Sequence, residues 1–317
     1  MRTTLPRLLM ERLAIGLVTL LIVAIVVFSA TALLPGDVAE VLLGQAATPE
    51  AVAGLRTAMH LDDPAPIRFI YWLLGLLRGD LGQSYVNNLP IAELIGSRLP
   101  NTLKLAGITA AIAVPLSLFL GITAAVARGK AYDRVVSIMT VGVISVPEFM
   151  TATLAVLVFS VWLGWLPALS HLSNVDSFGG LLRAYAMPVI TLTFVISAQM
   201  IRMTRASVIE TLDSPYIEMA RLKGASPTRV ILRHALPNAL GPIVNAIALS
   251  LSYLLGGVII VETIFNYPGI ARLMVDAVAT RDLPLIQSCA MIFCVGYLLL
   301  VTLADIVALM ANPKLRA

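Results

Sequence analysis

Apolar and polar positions along this 317-residue chain separate into long blocks rather than alternating at the period of a strand or of a half-buried helix. A helix crossing the hydrocarbon core of a bilayer needs about 20 consecutive apolar residues. Six runs come up to or near that length: 13–34, 102–127, 135–163, one starting at Met187 and fading into Arg202 and Arg205, 241–261, and 284–310. They predict an all-α fold, a polytopic membrane bundle of six transmembrane helices. The predicted organisation is an N-terminus with the first span over 1–34, a long segment over 35–101, the remaining five spans over 102–310, and a tail over 311–317. Pro115 and Pro147 fall inside spans, where neighbouring helices can satisfy the carbonyls a proline frees. Residues 67–77 (IRFIYWLLGLL) are apolar but too short to span, and read as an interfacial or packed helix.

Composition agrees with a lipid-facing surface. Apolar residues make up 59% and charged residues 13%, against about 25% charged in soluble domains. The first run is too long for the apolar region of a signal peptide, about 7–15 residues, and Leu33-Leu34-Pro35-Gly36 is a poor cleavage site. An uncleaved helix is expected there. The net charge of +4 is better explained by basic loops than by nucleic acid. With both ends inside, the cytoplasmic segments hold fourteen Lys and Arg and the short outside loops three. The positive-inside rule therefore predicts cytoplasmic termini and puts 35–101 outside.

The segment 211–237, cytoplasmic by this rule, carries two helix signatures in succession. Ser214-Pro215 is a cap with proline at the first helical position, where a missing N–H costs nothing. Gly224 is the expected left-handed stop. Ser226-Pro227 repeats the start signal, and Pro237 is expected to end the second short helix near Leu236. Helices this short need packing to persist. Ile217, Met219, Ala220 and Leu222 offer apolar surface, and Arg221, Lys223, Arg229 and Arg233 offer charge. A stiff elbow of this kind suits a cytoplasmic partner, though a solvated loop has the same local signals.

Other chemistry is sparse. Cys289 and Cys294 point to different helix faces, so no bridge is expected. His60, His171 and His234 lack metal-ligand spacing. Gly129-Lys130 is not a phosphate loop, because Ala124 stands at the required glycine and Ala131 follows the lysine. His171, Ser173 and Asp176 share one loop without a nucleophile elbow, which argues against a hydrolase triad. Glu148, beside Pro147 in the third span, is the deepest ionisable residue by count and a candidate for the pathway and for a substrate amino group. Its carboxyl could equally be satisfied by backbone freed at Pro147. Asp305 lies near the inner end of the last span, where an interface role suits it better. In the fifth span Gly256-Gly257 and Ser252 permit close approach, either of helices or of a solute.

Glu218-Met219-Ala220, three residues, Gly224, nine residues, then His234-Ala235-Leu236-Pro237 resembles the signature of ABC importer permeases: Glu-Ala-Ala, three residues, Gly, nine residues, Ile-x-Leu-Pro. Met219 and His234 depart from it. The run 216–244 resembles the dipeptide, oligopeptide and nickel branch. So do Leu34-Pro35-Gly36-Asp37, Thr48-Pro49-Glu50, Leu61-Asp62 with Pro64, 79–84, 261–265, Tyr267-Pro268-Gly269, Arg281-Asp282-Leu283-Pro284 and Asn312-Pro313-Lys314. His60 stands where the branch usually has glycine.

The resemblance implies a type I importer permease fold in the bacterial inner membrane, and the first of two paired permeases. It implies that Glu218, Ala220, Gly224, Ala225, Leu236 and Pro237 couple to separate ATPases, and that the fifth span, with Ser252 and Gly256, lies against the path for which Glu148 is a candidate by its depth. Implied partners are a second permease, two cytoplasmic ATPases that bind ATP and Mg, and an extracytoplasmic binding protein. No cofactor or metal is expected in this chain, nor an ATPase activity of its own. Peptides are the leading cargo, with nickel, glutathione or another small solute as alternatives. An ion-coupled secondary transporter is the competing class, but neither an internal repeat nor paired buried ionisable sites are visible.

Overall fold

A computed structural model describes residues 5–33, 36–170 and 177–311. Among these the regular structure is helical, apart from one isolated bridge between Gln83 and Pro90. His171, Ser173, Asp176 and the 312–314 motif lie outside the described residues, as does the side chain of Asp305. Among the described residues, five helices are long and apolar enough to cross a membrane: Met10–Ala32, Ile91–Val126, Phe178–Leu212, Pro227–Ile264 and Leu283–Leu303. A further pair, Ala131–Ile144 and Glu148–Trp162, is long and apolar enough only when taken together, and the 104° between its halves is the geometry of a broken span or a re-entrant loop.

That bend corrects the expectation of one continuous third span. Helix α6 (Ala131–Ile144) stops at Ser145, and Pro147 is extended at φ −57°, ψ 144°. A proline also drives its predecessor out of the helical region. Helix α7 (Glu148–Ala155) then starts afresh from the Pro147 carbonyl, which accepts from the Met150 and Thr151 N–H groups. The fourth span begins earlier than expected: α8 runs Phe178–Leu212 with Pro188 inside it. Ser177 caps it by accepting from Gly180 N–H at 3.1 Å.

The chain divides into two compact units. The larger is built on Leu103–Tyr267, with residues from Tyr297 on. Its centre is α8, whose Met187, Leu192, Met200 and Val208 are buried. Helix α5 (Ile91–Val126) approaches α8 at Gly121, where a Cβ would come within 2.9 Å of the Ile201 carbonyl oxygen. Ala125, Val208, Ala239 and Ile243 close one apolar cluster, and Ala124, Val136 and Ile201 another. Arg205 grips Asp133 with both prongs of its guanidinium, at 2.5 and 2.9 Å, and Asp133 also accepts from Gly129 N–H at 3.0 Å.

The smaller unit comprises Leu9–Thr102 and Pro268–Gly296. Between the first two spans lie α2 (Val38–Leu43), α3 (Pro49–Ala58) and α4 (Ala65–Leu77). Helix α4 is the short apolar helix expected at 67–77, and Phe69 and Trp72 pack on Phe28 at 5.3 and 6.0 Å between ring centroids. Thr48 and Asp37 cap α3 and α2 through their side-chain oxygens. Helix α12 (Ile270–Thr280) and the start of α13 (Leu283–Ala311) complete the unit around Ile91, Ile270, Leu285 and Cys289. Asp282 is buried, accepting from the Ser84 hydroxyl and, at 3.1 Å, from Tyr85 N–H.

Both units leave broad apolar surfaces uncovered. Leu13, Leu17, Val18 and Ile22 on α1 (Leu5–Ala32), and Ile138, Met139 and Phe149 in the bent pair, are all more than half exposed. Soluble monomers expose contiguous apolar patches of only a few hundred Å², whereas lipid favours such faces.

Candidate functional site

The elbow forms in two steps. Helix α9 spans Pro215–Leu222, with proline in its first turn as the sequence pattern requires. Ser214 occupies the cap position, but its hydroxyl donates to the Thr211 carbonyl instead of capping α9. At the other end Gly224 has φ +80°. Its N–H donates to the Arg221 carbonyl at 2.9 Å, and Ala225 N–H donates to the Ala220 carbonyl at 3.2 Å. This double closure satisfies two of the carbonyls a helix end leaves open. It accounts for Ala220, Gly224 and Ala225 as one device.

The second arm differs from expectation. Pro237 does not end it: α10 (Pro227–Arg229), a wide turn over Val230–Ala235 and α11 (Leu236–Ile264) form one rod of 38 residues. A proline ring collides with the carbonyl four residues back in an ideal helix. Widening the preceding turn, so that hydrogen bonds span five residues instead of four, relieves that collision, and Asn238 Nδ2 donates to the His234 carbonyl at 2.8 Å. The elbow's second arm is therefore the end of the fifth span itself.

The two arms are pinned by Ile217, which is fully buried against Val230 and Ala235, with Leu212 and Ala225 around them. Burying an isoleucine side chain is worth roughly 1.5–3 kcal/mol. Ile217 is thus removed from the outer apolar surface expected of it. The outer face keeps Met219, 57% exposed, and Leu222, 76% exposed, with Tyr216 beside them. Glu218 is exposed in the first turn of α9 and makes no ion pair among the described residues. A carboxylate there is favoured by the helix dipole, and its charge is open to another molecule. Leu236 and Pro237 differ from it in role: Leu236 packs against the Val208 and Ala239 cluster, and Pro237 is exposed at the wide turn.

Glu148 sits at the break of the third span, half-buried, beside a cavity of about 390 Å³. Gln199 of α8 and Ser250 and Tyr253 of α11 line the same cavity. The Ser250 hydroxyl is buried and has no partner. Gly257 is the close approach in α11: a Cβ there would lie 3.3 Å from a Glu148 carboxylate oxygen and 3.3 Å from Leu192. Gly256 faces open space, and Ser252 returns its hydroxyl to the Ala248 carbonyl at 2.9 Å. Sequence reasoning missed Gly257, Gln199 and Ser250 as neighbours of Glu148. Neighbouring positions on a helix differ by about 100° in direction, and only the facing helix decides which one is used.

Comparison with known proteins places these features in context. Residues 117–317 match the family described as binding-protein-dependent transport system inner membrane component, and residues 5–106 match its N-terminal companion. A Brucella abortus (strain 2308) protein bearing the name of a peptide transport system permease is 37% identical over 98% of both chains. The glutathione transport system permease protein GsiC of Salmonella typhimurium (strain LT2) is 39% identical, covering 95% of this chain and 96% of its own. The fold resembles a chain of the inward-facing MetNI methionine ABC transporter, with a TM-score of 0.54 and 19% identity over 69% of this chain and 96% of that one.

Proposed function

The chain belongs to the binding-protein-dependent transport system inner membrane component family, and from that membership we propose that its cargo is peptides and that the elbow is where ATP-hydrolysing subunits drive it. It is a multi-pass inner-membrane permease subunit of an ABC importer. A second homologous permease, two cytoplasmic ATPases that carry the ATP and Mg, and an extracytoplasmic binding protein complete the importer. The chain itself hydrolyses no ATP. Both termini and the elbow face the cytoplasm, and 35–101 faces outward, as the distribution of Lys and Arg requires.

One observation carries the coupling role. The elbow is pinned inside by Ile217, leaves Glu218, Met219 and Leu222 outward, and its second arm is the start of the rod that forms the fifth span. A push on α9 then passes through the buried Ile217 contact with Val230 and Ala235 to the rod. The far part of that rod borders the cavity of Glu148, Gln199 and Ser250. Glu148 offers a carboxylate to a peptide ammonium, and Gln199 and Ser250 offer neutral hydrogen bonds. Helix movement at Gly257 changes the room beside Glu148, because the space between them is too small for a side chain to be added at Gly257 without crowding the carboxylate. Ser252 and Gly256 lie on the same helix, one turn apart, and move with it.

Names of relatives for peptides and for glutathione support one cargo class, since glutathione is itself a tripeptide. The deciding experiment is reconstitution of the importer in proteoliposomes with its binding protein, followed by uptake of labelled dipeptides and glutathione. ATP-dependent uptake of one or both is expected. Uptake that proceeds without ATP, or a purified chain that retains no ATPase subunit, would defeat the proposal.

A further inference from the structure

Two motifs with no part in the elbow or the membrane cavity, Gly36-Asp37 and Arg281-Asp282, meet in the smaller unit. Arg281 ends α12 in the left-handed region, at φ +56°, a conformation sparsely populated by non-glycine residues and concentrated at functional sites. It aims the guanidinium across Gly36, at φ +100°, so closely that any Cβ at Gly36 would overlap it. Two uncommon backbone conformations therefore hold one guanidinium in place.

That guanidinium lacks an acceptor. Arg281 Nη1 is buried without a hydrogen-bond partner, and so is Trp72 Nε1. They are the only nitrogen donors among the described buried unpartnered atoms; the rest are Thr and Ser hydroxyls. Both nitrogens can only donate. Arg281 lines a cavity of about 160 Å³ with Arg56, Arg68 and Asp37. Asp37 does not answer it: one oxygen accepts from Arg56 at 2.5 Å and the other from Ala39 N–H at 2.8 Å, and neither is bonded to Arg281. Arg56 is further committed to Asp62 at 2.8 Å. Arg68 donates to the Leu61 carbonyl at 2.9 Å, stands 5.9 Å over the Phe28 ring and has no carboxylate partner among the described residues. An excess of positive charge with an unmet buried N–H is costly unless an anion completes it.

Arg68 and Leu283 also line an adjoining chamber of about 450 Å³, with Phe28, Trp72, Tyr85 and Asp63 on its walls. That volume falls within the range of small-molecule sites, roughly 300–1,000 Å³. We propose that the two cavities form a carboxylate site for the C-terminal end of a short peptide: Arg281 and Arg68 hold the carboxylate, and the aromatic chamber holds the residue that bears it. Guanidinium presents the paired donors that match a carboxylate. The Phe28, Trp72 and Tyr85 rings cover an apolar side chain, while Asp63, with His60 at 3.2 Å, makes one wall of the chamber polar. This site is separate from the Glu148 cavity, and its binding does not depend on the transport reading.

The test is calorimetric titration of the purified importer in nanodiscs, without its binding protein, using alanyl-phenylalanine, its C-terminal amide and acetate. Saturable binding of the free peptide is expected, with about ten- to a hundredfold weaker binding of the amide. Arg281→Met should cause a similar loss, Trp72→Phe a smaller one, and Glu50→Gln, at an exposed position of α3, none. Trp72→Phe keeps an aromatic ring on the chamber wall while removing the N–H together with part of the indole, and it remains informative if Arg281→Met fails to fold. Equal binding of peptide and amide, or unchanged binding in both variants, would overturn the site. Acetate binding as tightly as the peptide would overturn the chamber's share in it. Uptake measured in parallel separates the two proposals: binding without uptake defeats the transport reading alone, and uptake without this binding defeats the site alone.

Discussion

Substitution at Gly224 tests the elbow most directly. A Cβ added there would meet nothing within 4 Å, so crowding contributes nothing and the whole cost lies in the backbone at φ +80°. Holding a non-glycine residue left-handed costs about 1–3 kcal/mol. If the backbone relaxes instead, the bonds from Gly224 N–H to Arg221 and from Ala225 N–H to Ala220 are lost, at about 0.5–1.5 kcal/mol each. Either route lowers the population of the formed elbow by roughly five- to 150-fold at 1.4 kcal/mol per factor of ten. Asparagine tolerates this region and a β-branched residue tolerates it least, so the order of damage should be Asn, then Ala, then Val. The Ala225 amide reports the elbow by hydrogen exchange, and the ratio of peptide transported to ATP hydrolysed in proteoliposomes reports coupling. Both should fall in that order while membrane insertion stays normal. Equal effects of Asn and Val, or wild-type uptake by Gly224→Val, would refute the reasoning.

Further expectations follow from individual contacts. Ile217→Ala should destabilise the elbow by about 2–5 kcal/mol through a cavity, seen as faster amide exchange at Val230. Met219→Ala and Leu222→Ala should leave that exchange unchanged and instead release the ATPases during purification. Asp133→Asn breaks the Arg205 pair while leaving the partner charge partly buried, a loss of about 3–5 kcal/mol, read as a lower thermal midpoint in detergent. Glu148→Gln should slow uptake of peptides with a free ammonium more than of N-acetylated ones, and equal slowing would remove its charge role. At Asp37 burial raises the carboxyl's affinity for protons, but hydrogen bonds from Arg56 and the Ala39 N–H outweigh it and hold the group below its ordinary value. A depressed pKa stabilises the fold above the unfolded value of about 3.9 and loses that contribution as pH falls through the folded one. Protection of the Ala39 amide should fall in that acidic window, and the fall should vanish in Asp37→Asn.

Much of the molecule was legible before its structure was known. Span lengths follow from bilayer thickness, and the starts and stop of the elbow follow from backbone rules local to Pro215, Gly224 and Pro227. The break at Pro147 was half legible: the proline is visible, but Pro115 stands inside an unbroken α5, so residue type alone does not separate a tolerated proline from a 104° bend. Pro237 misled for a related reason. Its local rule ends a helix, while a wide turn upstream lets the rod continue into the fifth span.

What the chain determined by itself was its class, the rough places of its apolar spans and the turn points of its elbow at Pro215, Gly224 and Pro227, because each depends on contacts within a few residues or on solubility in lipid. Tertiary packing alone decided that Ile217 turns inward, that Gly257 rather than Gly256 meets Glu148, and that Arg281 crosses Gly36 from 245 positions away. Those outcomes depend on which helix faces which. A side chain's direction becomes a contact only when another element arrives to receive it.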